Sequence, residues 1–510
     1  MPYMELFGTA GIRGSVEDRV TPSLALAVGR AAAAVARERD DRTASGNGRR
    51  SPAPEFVLAR DGRVTGPAIA AAMEAGLASG GAKVLRAGQL PTPGLAYASQ
   101  GRYGVMLTAS HNPPTDNGIK LFRDGVEFDR ELERAVEAGV DDEEPPASWD
   151  AWTTTERVDT LDTYLDAVEA YARSFGEGGT ADDEADHTGG KAERRDDGDD
   201  YTTDLDGLRI AVDCGNGMAG PATPTVLREL GATVVTLNGN VDGHFPGRGS
   251  KPTPETLRDL RAFVADANEG VTDPGRAGPD GDAEGFAFGI GHDGDADRFV
   301  LVDADGDVVH EDTVLAILAE RYVRRADADD PVVVTTPNAS GRIDERVRAA
   351  GGRVERVRLG ALHEGIAAVE ADGDTVAFAA EPWKHVHVPF GGWIDGVCSA
   401  AILARLIGAE ELDSLRDPVT ERPYRKVSVD CPDDLKPSVM NDLADRLPEA
   451  FPDASVNTDH GVRLEFPDAA WTLVRPSGTE PYVRVYAESD EVDELVEAVV
   501  SVVSTAVDGA

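Results

Sequence analysis

Short apolar, β-branched runs alternate with helix-patterned stretches along most of this chain, and many of the runs empty into a glycine- or proline-bearing loop. Residues 56–59 are followed by a helical pattern over 66–80, and 83–86 by a short one over 93–100. The same rhythm returns at 208–212 and 233–237, and again at 332–335, 342–350 and 375–379. A strand, a helix and a further strand make a βαβ unit, so the pattern implies α/β architecture. At 510 residues the chain exceeds what one core serves, which predicts three or four domains. The expected boundaries are 1–155, 156–307, 308–418 and 419–510, the last a smaller α+β unit. Three polar insertions interrupt the rhythm: 40–54, the acidic low-complexity stretch 174–204, and 268–284. The second has too few large apolar residues to bury a core and is expected to be disordered.

Composition narrows the partners. There are 93 acidic against 50 basic residues, a net charge of −43, and only seven of the basic residues are lysine. Such a surface repels nucleic acid and anionic membranes, and its self-repulsion is relieved when salt screens it. A salt-adapted protein is expected. No apolar stretch approaches a membrane span, and the N-terminus lacks signal-peptide features, so the expected compartment is the cytoplasm. Cys214, Cys398 and Cys431 have no paired spacing and are expected as buried thiols.

Four loops carry candidate chemistry. The run 103–107 delivers Thr108-Ala-Ser110-His111-Asn-Pro113, with Lys120 a few residues on. It suits either a nucleophilic serine or a plain turn. Asp293-Gly-Asp295-Ala-Asp297-Arg298 follows another strand and alternates three carboxylates, which can converge on one hard cation. The sixth and twelfth positions, Arg298 and Ala304, exclude an EF-hand. Arg475-Pro-Ser477-Gly478-Thr479 offers a guanidinium, two hydroxyls and free N–H groups to a phosphate, or forms a β-turn. Glu381-Pro-Trp383-Lys384-His385 puts an acid, an aromatic face and two bases at a strand end, suited to a sugar or to packing at an interface. A fifth stretch, Gly215-Asn-Gly217-Met-Ala-Gly220, matches the dinucleotide fingerprint, but Asn238 stands where its acid belongs, so it reads as a tight turn.

Together these motifs, with the N-terminal Phe7–Gly14 stretch that carries Arg13, resemble the α-D-phosphohexomutase family over essentially the whole chain. The resemblance implies three similar α/β domains with mixed sheets plus a smaller C-terminal α+β domain around a central cleft. It implies that Ser110 carries a phosphoryl group and, with Asp293, Asp295 and Asp297, binds Mg²⁺. Arg298, Arg13, Lys120 and His111 would surround the transferring group, with His111 or His385 as the general base. Arg475, Ser477, Gly478 and Thr479 would hold the substrate's other phosphate, and Glu381 the sugar hydroxyls. The family's sugar loop commonly reads Gly-Glu-x-Ser-Gly-His; here Pro382, Trp383 and Lys384 intervene, so Trp383 and Lys384 are expected to decide the sugar.

The implied activity is reversible transfer between hexose 1-phosphate and hexose 6-phosphate, with glucose or mannose favoured. It would run through a phosphoserine and a sugar bisphosphate such as glucose 1,6-bisphosphate, in a monomer or homodimer. Alternatives are phosphoglucosamine mutase or phosphopentomutase on the same fold. An NAD-dependent oxidoreductase and a non-catalytic sugar-phosphate-binding protein are more remote.

Overall fold

The computed structural model describes residues 6–8, 11–44, 52–175, 205–269, 285–477 and 480–510. Nearly all of the expected acidic insert lies outside them. The chain forms two compact units. One is Met1–Val309 with Trp383–Leu412; the other is His310–Pro382 with Asp413–Ala510.

The first unit holds two sheets of one design. In the first sheet the parallel strands Tyr103–Leu107, Glu55–Arg60, Lys83–Gln89 and Thr155–Arg157 lie side by side in that order. Asp116–Arg123 then turns back antiparallel on Tyr103–Leu107, and Ile12–Ser15 adds to its outer edge. In the second sheet Phe288–His292, Arg209–Asp213 and Thr233–Leu237 are parallel, and Phe299–Val302 turns back on Phe288–His292. The serine loop and the triple-aspartate loop therefore occupy the same point in two similar sheets: each joins a parallel strand to its returning neighbour.

The second unit repeats the parallel core, with Val332–Thr335 between Val376–Glu381 and Arg353–Arg356. It adds an antiparallel sheet in the order Tyr424–Asp430, Tyr482–Glu488, Trp471–Pro476, Val462–Glu465, Ser455–Asn457. The helices Lys436–Ala450 and Val492–Asp508 pack on that sheet through Val439, Leu443, Val499 and Val503. Three parallel cores and one antiparallel unit match the α/β class expected from the sequence.

Local chemistry explains these elements. Val332–Thr335 is wholly buried, as a continuous β-branched run in a parallel sheet covered on both faces requires. The alanine-rich helix Pro22–Ala44 starts where Thr21 Oγ1 accepts from Leu24 N–H at 3.2 Å. It crosses Gly66–Ser79 so closely that a Cβ on Gly76 would stand 2.3 Å from the Leu26 carbonyl oxygen. Glycine there allows the contact. Cys214, Cys398 and Cys431 are buried free thiols. Among the described residues no helix is long and apolar enough to cross a membrane.

Candidate active site

Ser110 sits at the end of a buried strand in the left-handed region of backbone space, with φ of 50°. A non-glycine residue there is strained and needs support from its surroundings. The residue is fully buried, and its Oγ donates to Asp293 Oδ2 at 2.7 Å. One contact thus joins the two loops that the sheets place at equivalent points.

Asp293, Asp295 and Asp297 converge: all three are buried, and one oxygen from each lies within 4.8 Å of the others. Thr92 fixes the middle one, donating Oγ1–H to Asp295 Oδ2 at 2.7 Å and N–H to its carbonyl at 3.0 Å. The second oxygens of Asp295 and Asp297 are buried without a hydrogen-bond partner. Three clustered carboxylates with spare lone pairs fit a hard divalent cation. Burial and the neighbouring charges of Asp297 and Asp295 push Asp293 well above the usual carboxylate range. Burial would raise Asp297 too, but Lys120 and Arg298 overcome it and hold Asp297 below that range.

Cations line the other side. Lys120 is buried, its Nζ 3.3 Å from both Asp297 and Glu127. Burial works against its charge; Glu127, Asp297 and Asp295 outweigh burial and keep it protonated. Arg298 Nε lies 3.7 Å from Asp297 and 3.9 Å from Asp293. Arg13, on the strand beside Gly118, leaves a buried Nε without a hydrogen-bond partner. His111 Nδ1 stands 3.4 Å from Ser110 Oγ. Burial, then Arg298 and Arg13, push this imidazole down to about 3, so it is neutral, and the same surroundings disfavour its protonated form. Lys384 adds its field at Asp297.

The remaining expected residues are placed as follows. Trp383, at φ of 70°, is half-buried against the cluster of Leu257, Leu260 and Phe286. His385 is buried, hydrogen-bonded to Ser399 Oγ at 3.1 Å and pushed down to about 3 by burial. Between the two histidines, His111 is the one beside Ser110. In the second unit Glu381 ends its strand and accepts from Gly360 N–H at 2.6 Å. Arg475 reaches Tyr486 Oη at 2.9 Å, and Ser477 is buried. Gly478 and Thr479 lie outside the described residues. Lys436 Nζ donates to the Ser477 and Glu480 carbonyls at 2.7 and 2.6 Å.

The glycine turn at 215–220 is explained by packing. A Cβ on Gly217 would lie 2.6 Å from the Gly294 carbonyl, and Met218 N–H donates to that oxygen at 3.0 Å. These glycines seat the aspartate loop.

Several residues went unnoticed in the sequence. Asp61 and Arg63 lie directly under the serine loop. Arg248 is anchored on Asp213 at 2.9 Å and donates to the His292 carbonyl at 2.6 Å. His292 bridges the aspartate loop's ends: its Nδ1–H donates to the Arg298 carbonyl at 2.8 Å, and Nε2 accepts from Thr223 Oγ1–H at 3.0 Å. The available signal was position, since Asp61-Gly62-Arg63 and Asp213 each stand at a strand end.

Comparison with known proteins agrees with this geometry. The profiles for phosphoglucomutase/phosphomannomutase alpha/beta/alpha domain I, domain II and C-terminal domain match residues 4–147, 199–306 and 431–504. A phosphopentomutase of Thermococcus kodakarensis is 36% identical over 513 residues, 98% of this chain and 98% of that one. A probable phosphoglucosamine mutase of Methanopyrus kandleri is 37% identical over 494 residues, 95% of this chain and 94% of its own. The crystal structure of a phosphoglucomutase/phosphomannomutase family protein from Burkholderia thailandensis shares the fold, with a TM-score of 0.77 at 22% identity, over 99% of this chain and 98% of that one. The chain belongs to the α-D-phosphohexomutase family and is a sugar-phosphate isomerase of the phosphomutase type.

Proposed function

We propose that Ser110 is the phosphoryl carrier of an intramolecular sugar phosphomutase whose substrate is an amino-hexose or pentose phosphate. The observation that carries the reaction is the strained, buried Ser110 held 2.7 Å from Asp293 and facing neutral His111. The phosphoryl group leaves Ser110 Oγ for a hydroxyl of the sugar monophosphate, and His111 takes that hydroxyl's proton. The resulting bisphosphate turns over, and its other phosphoryl group returns to Ser110. Arg13, Lys120 and Arg298 neutralise charge on the passing group, and Arg298 and Lys120 also hold Asp297 ionised. Asp293, Asp295 and Asp297 would hold Mg²⁺, with the serine phosphoryl oxygen beside them; when bound it screens the phosphoryl oxygens and stabilises charge as transfer proceeds. In the second unit Arg475, Ser477, Gly478 and Thr479 hold the phosphate that is not reacting, and Glu381 meets sugar hydroxyls.

The relatives' names support phosphoglucosamine and phosphopentose over the glucose or mannose expected from the resemblance. Trp383 and Lys384 depart from the usual sugar loop and are the residues through which that choice would be made. The test is a panel of the 1-phosphates of glucosamine, ribose, glucose and mannose, each with Mg²⁺ and a trace of its cognate bisphosphate. Running it with and without molar KCl tests the proposed salt adaptation as well. A kcat/KM highest for glucose or mannose would overturn the substrate assignment. Intact mass of the purified protein, with no phosphate on Ser110 after exposure to bisphosphate, would overturn the carrier role and favour a non-catalytic binding protein.

A further inference from the structure

The serine loop hangs on a single buried side chain. Arg63 is fully buried, and all five of its side-chain N–H groups are used. Nε–H donates to Asp61 Oδ2 at 3.0 Å. Nη1 donates to the carbonyls of Pro113 and Asp116, the latter at 2.9 Å. Nη2 donates to the carbonyls of Ser110 and Asn112 at 2.9 and 2.8 Å. Four acceptors of that fork are backbone oxygens between residues 110 and 116, the turn that carries the nucleophile.

Asp61 completes the device. Its Oδ1 accepts from the Arg63 N–H at 2.9 Å, fixing the base of the arginine itself. Its Oδ2 also accepts from Thr108 Oγ1–H at 2.8 Å, and Thr108 Oγ1 in turn accepts from Ser110 N–H at 2.8 Å. Ser110 is therefore gripped on both sides, its N–H through Thr108 and its carbonyl by Arg63. The Phe245 ring lies 5.2 Å from the guanidinium, and Ser250 Oγ donates to Asn112 O at 3.1 Å, closing the loop from the neighbouring sheet's side.

We infer that Arg63, anchored by Asp61 and linked through Thr108, is the positioning residue that holds Ser110 in its strained, reactive conformation. It touches neither the reacting atoms nor the aspartate triad. A left-handed serine costs on the order of 1 kcal/mol or more and relaxes unless its flanking peptide groups are fixed. The clasp fixes both. A lysine cannot replace it, because one ammonium centre cannot satisfy a planar set of five acceptors. The inference rests on Ser110 being the phosphoryl carrier.

The experiment separates the two claims. Wild-type protein is first exposed to sugar bisphosphate and its mass read; absence of phosphate on Ser110 refutes the carrier role before any variant is judged. With the carrier established, Arg63→Ala is expected to lose about 100-fold in kcat with KM little changed, as a small misplacement of a reacting group does. Millimolar guanidinium should recover at least tenfold of that loss by filling the vacated seat. Arg63→Lys should stay slow and should not respond to guanidinium. A kcat near that of wild type in Arg63→Ala, or a loss that guanidinium leaves untouched while the variant melts like wild type, overturns the inference. Should Arg63→Ala fail to fold, Thr108→Val decides. It cuts the link between Asp61 and the Ser110 N–H without changing shape, and about a tenfold loss in kcat at constant KM is expected. An unchanged kcat there also overturns the inference.

Discussion

Two loops in this protein are strapped from behind by a buried cation that donates to their carbonyls, and the straps differ in kind. Arg63 grips the serine loop with a planar fork whose five donors are all committed, four of them to loop carbonyls. In the second unit Lys436 holds the Ser477 and Glu480 carbonyls through Nζ alone, with the exposed Asp433 sharing it. A fork fixes distance and direction together; a single ammonium fixes distance and leaves rotation free. The difference suits the proposed tasks. A nucleophile must meet phosphorus within a fraction of an ångström. A loop that grips first one phosphate and then the other of a turning bisphosphate gains from compliance.

If that contrast is sound, damage in the first unit should appear in kcat and damage in the second in KM. Ser110→Ala is the extreme case: turnover in a coupled assay should fall by about 10⁴-fold or more, with melting temperature unchanged, because the carrier atom is gone. A variant that still turned over at a tenth of the wild-type rate would remove the serine from the reaction. Asp293→Asn comes next. It should lose about 10²–10³-fold in kcat, yet raise the melting temperature of the metal-free protein, because burial, then Asp297 and Asp295, disfavour a carboxylate at this position and an amide carries no such penalty. Mg²⁺ should raise the melting temperature of wild type and not of the variant; equal shifts would locate the ion elsewhere. Lys436→Met is milder. Its loop loses one strap, so KM should rise about tenfold with kcat within about threefold. A fall in kcat at constant KM would erase the distinction between the straps.

Much of this was legible in the sequence because it depends on short-range pattern. The apolar runs at 56–59 and 332–335 are buried strands of parallel sheets, 233–237 is the edge strand of another, and the three carboxylates of the Asp293 loop, read from their alternation at a strand end beside Arg298, do converge. The clasp residues were not legible. Asp61 and Arg63 meet the serine loop only because Glu55–Arg60 lies beside Tyr103–Leu107, a pairing set by strand order. Local spacing carries no trace of strand order. Thr92 and Asp295 are joined across a much wider gap, 203 residues apart in the chain. The burial of His385 against Ser399 was not legible either, because it depends on the helix Gly396–Glu410 packing against its strand.

The smallest predicted effect bears on Asp61, a buried anchor where the Lys436 strap has only the exposed Asp433. Burial pushes its carboxyl up to about 6, although Arg63 and the Thr108 hydroxyl pull the other way. In the unfolded chain an aspartate titrates near 3.9. Between those values the folded protein binds more protons than the unfolded one, so this group makes stability fall as pH rises from about 4 to 6. The span corresponds to about 1–3 kcal/mol. Activity should move oppositely, because the carboxylate is needed to hold Arg63 and Thr108, so kcat should rise over the same window. Lowering the pH would thus strengthen the fold while loosening the nucleophile. Chemical denaturation and single-turnover transfer from phosphorylated enzyme, measured at pH 4.5, 5.5 and 6.5, check both signs. Asp61→Asn should flatten both profiles by removing the titrating group. If stability and transfer rate rose together in wild type and stayed parallel in Asp61→Asn, the anchor of the clasp would lie in some group other than Asp61.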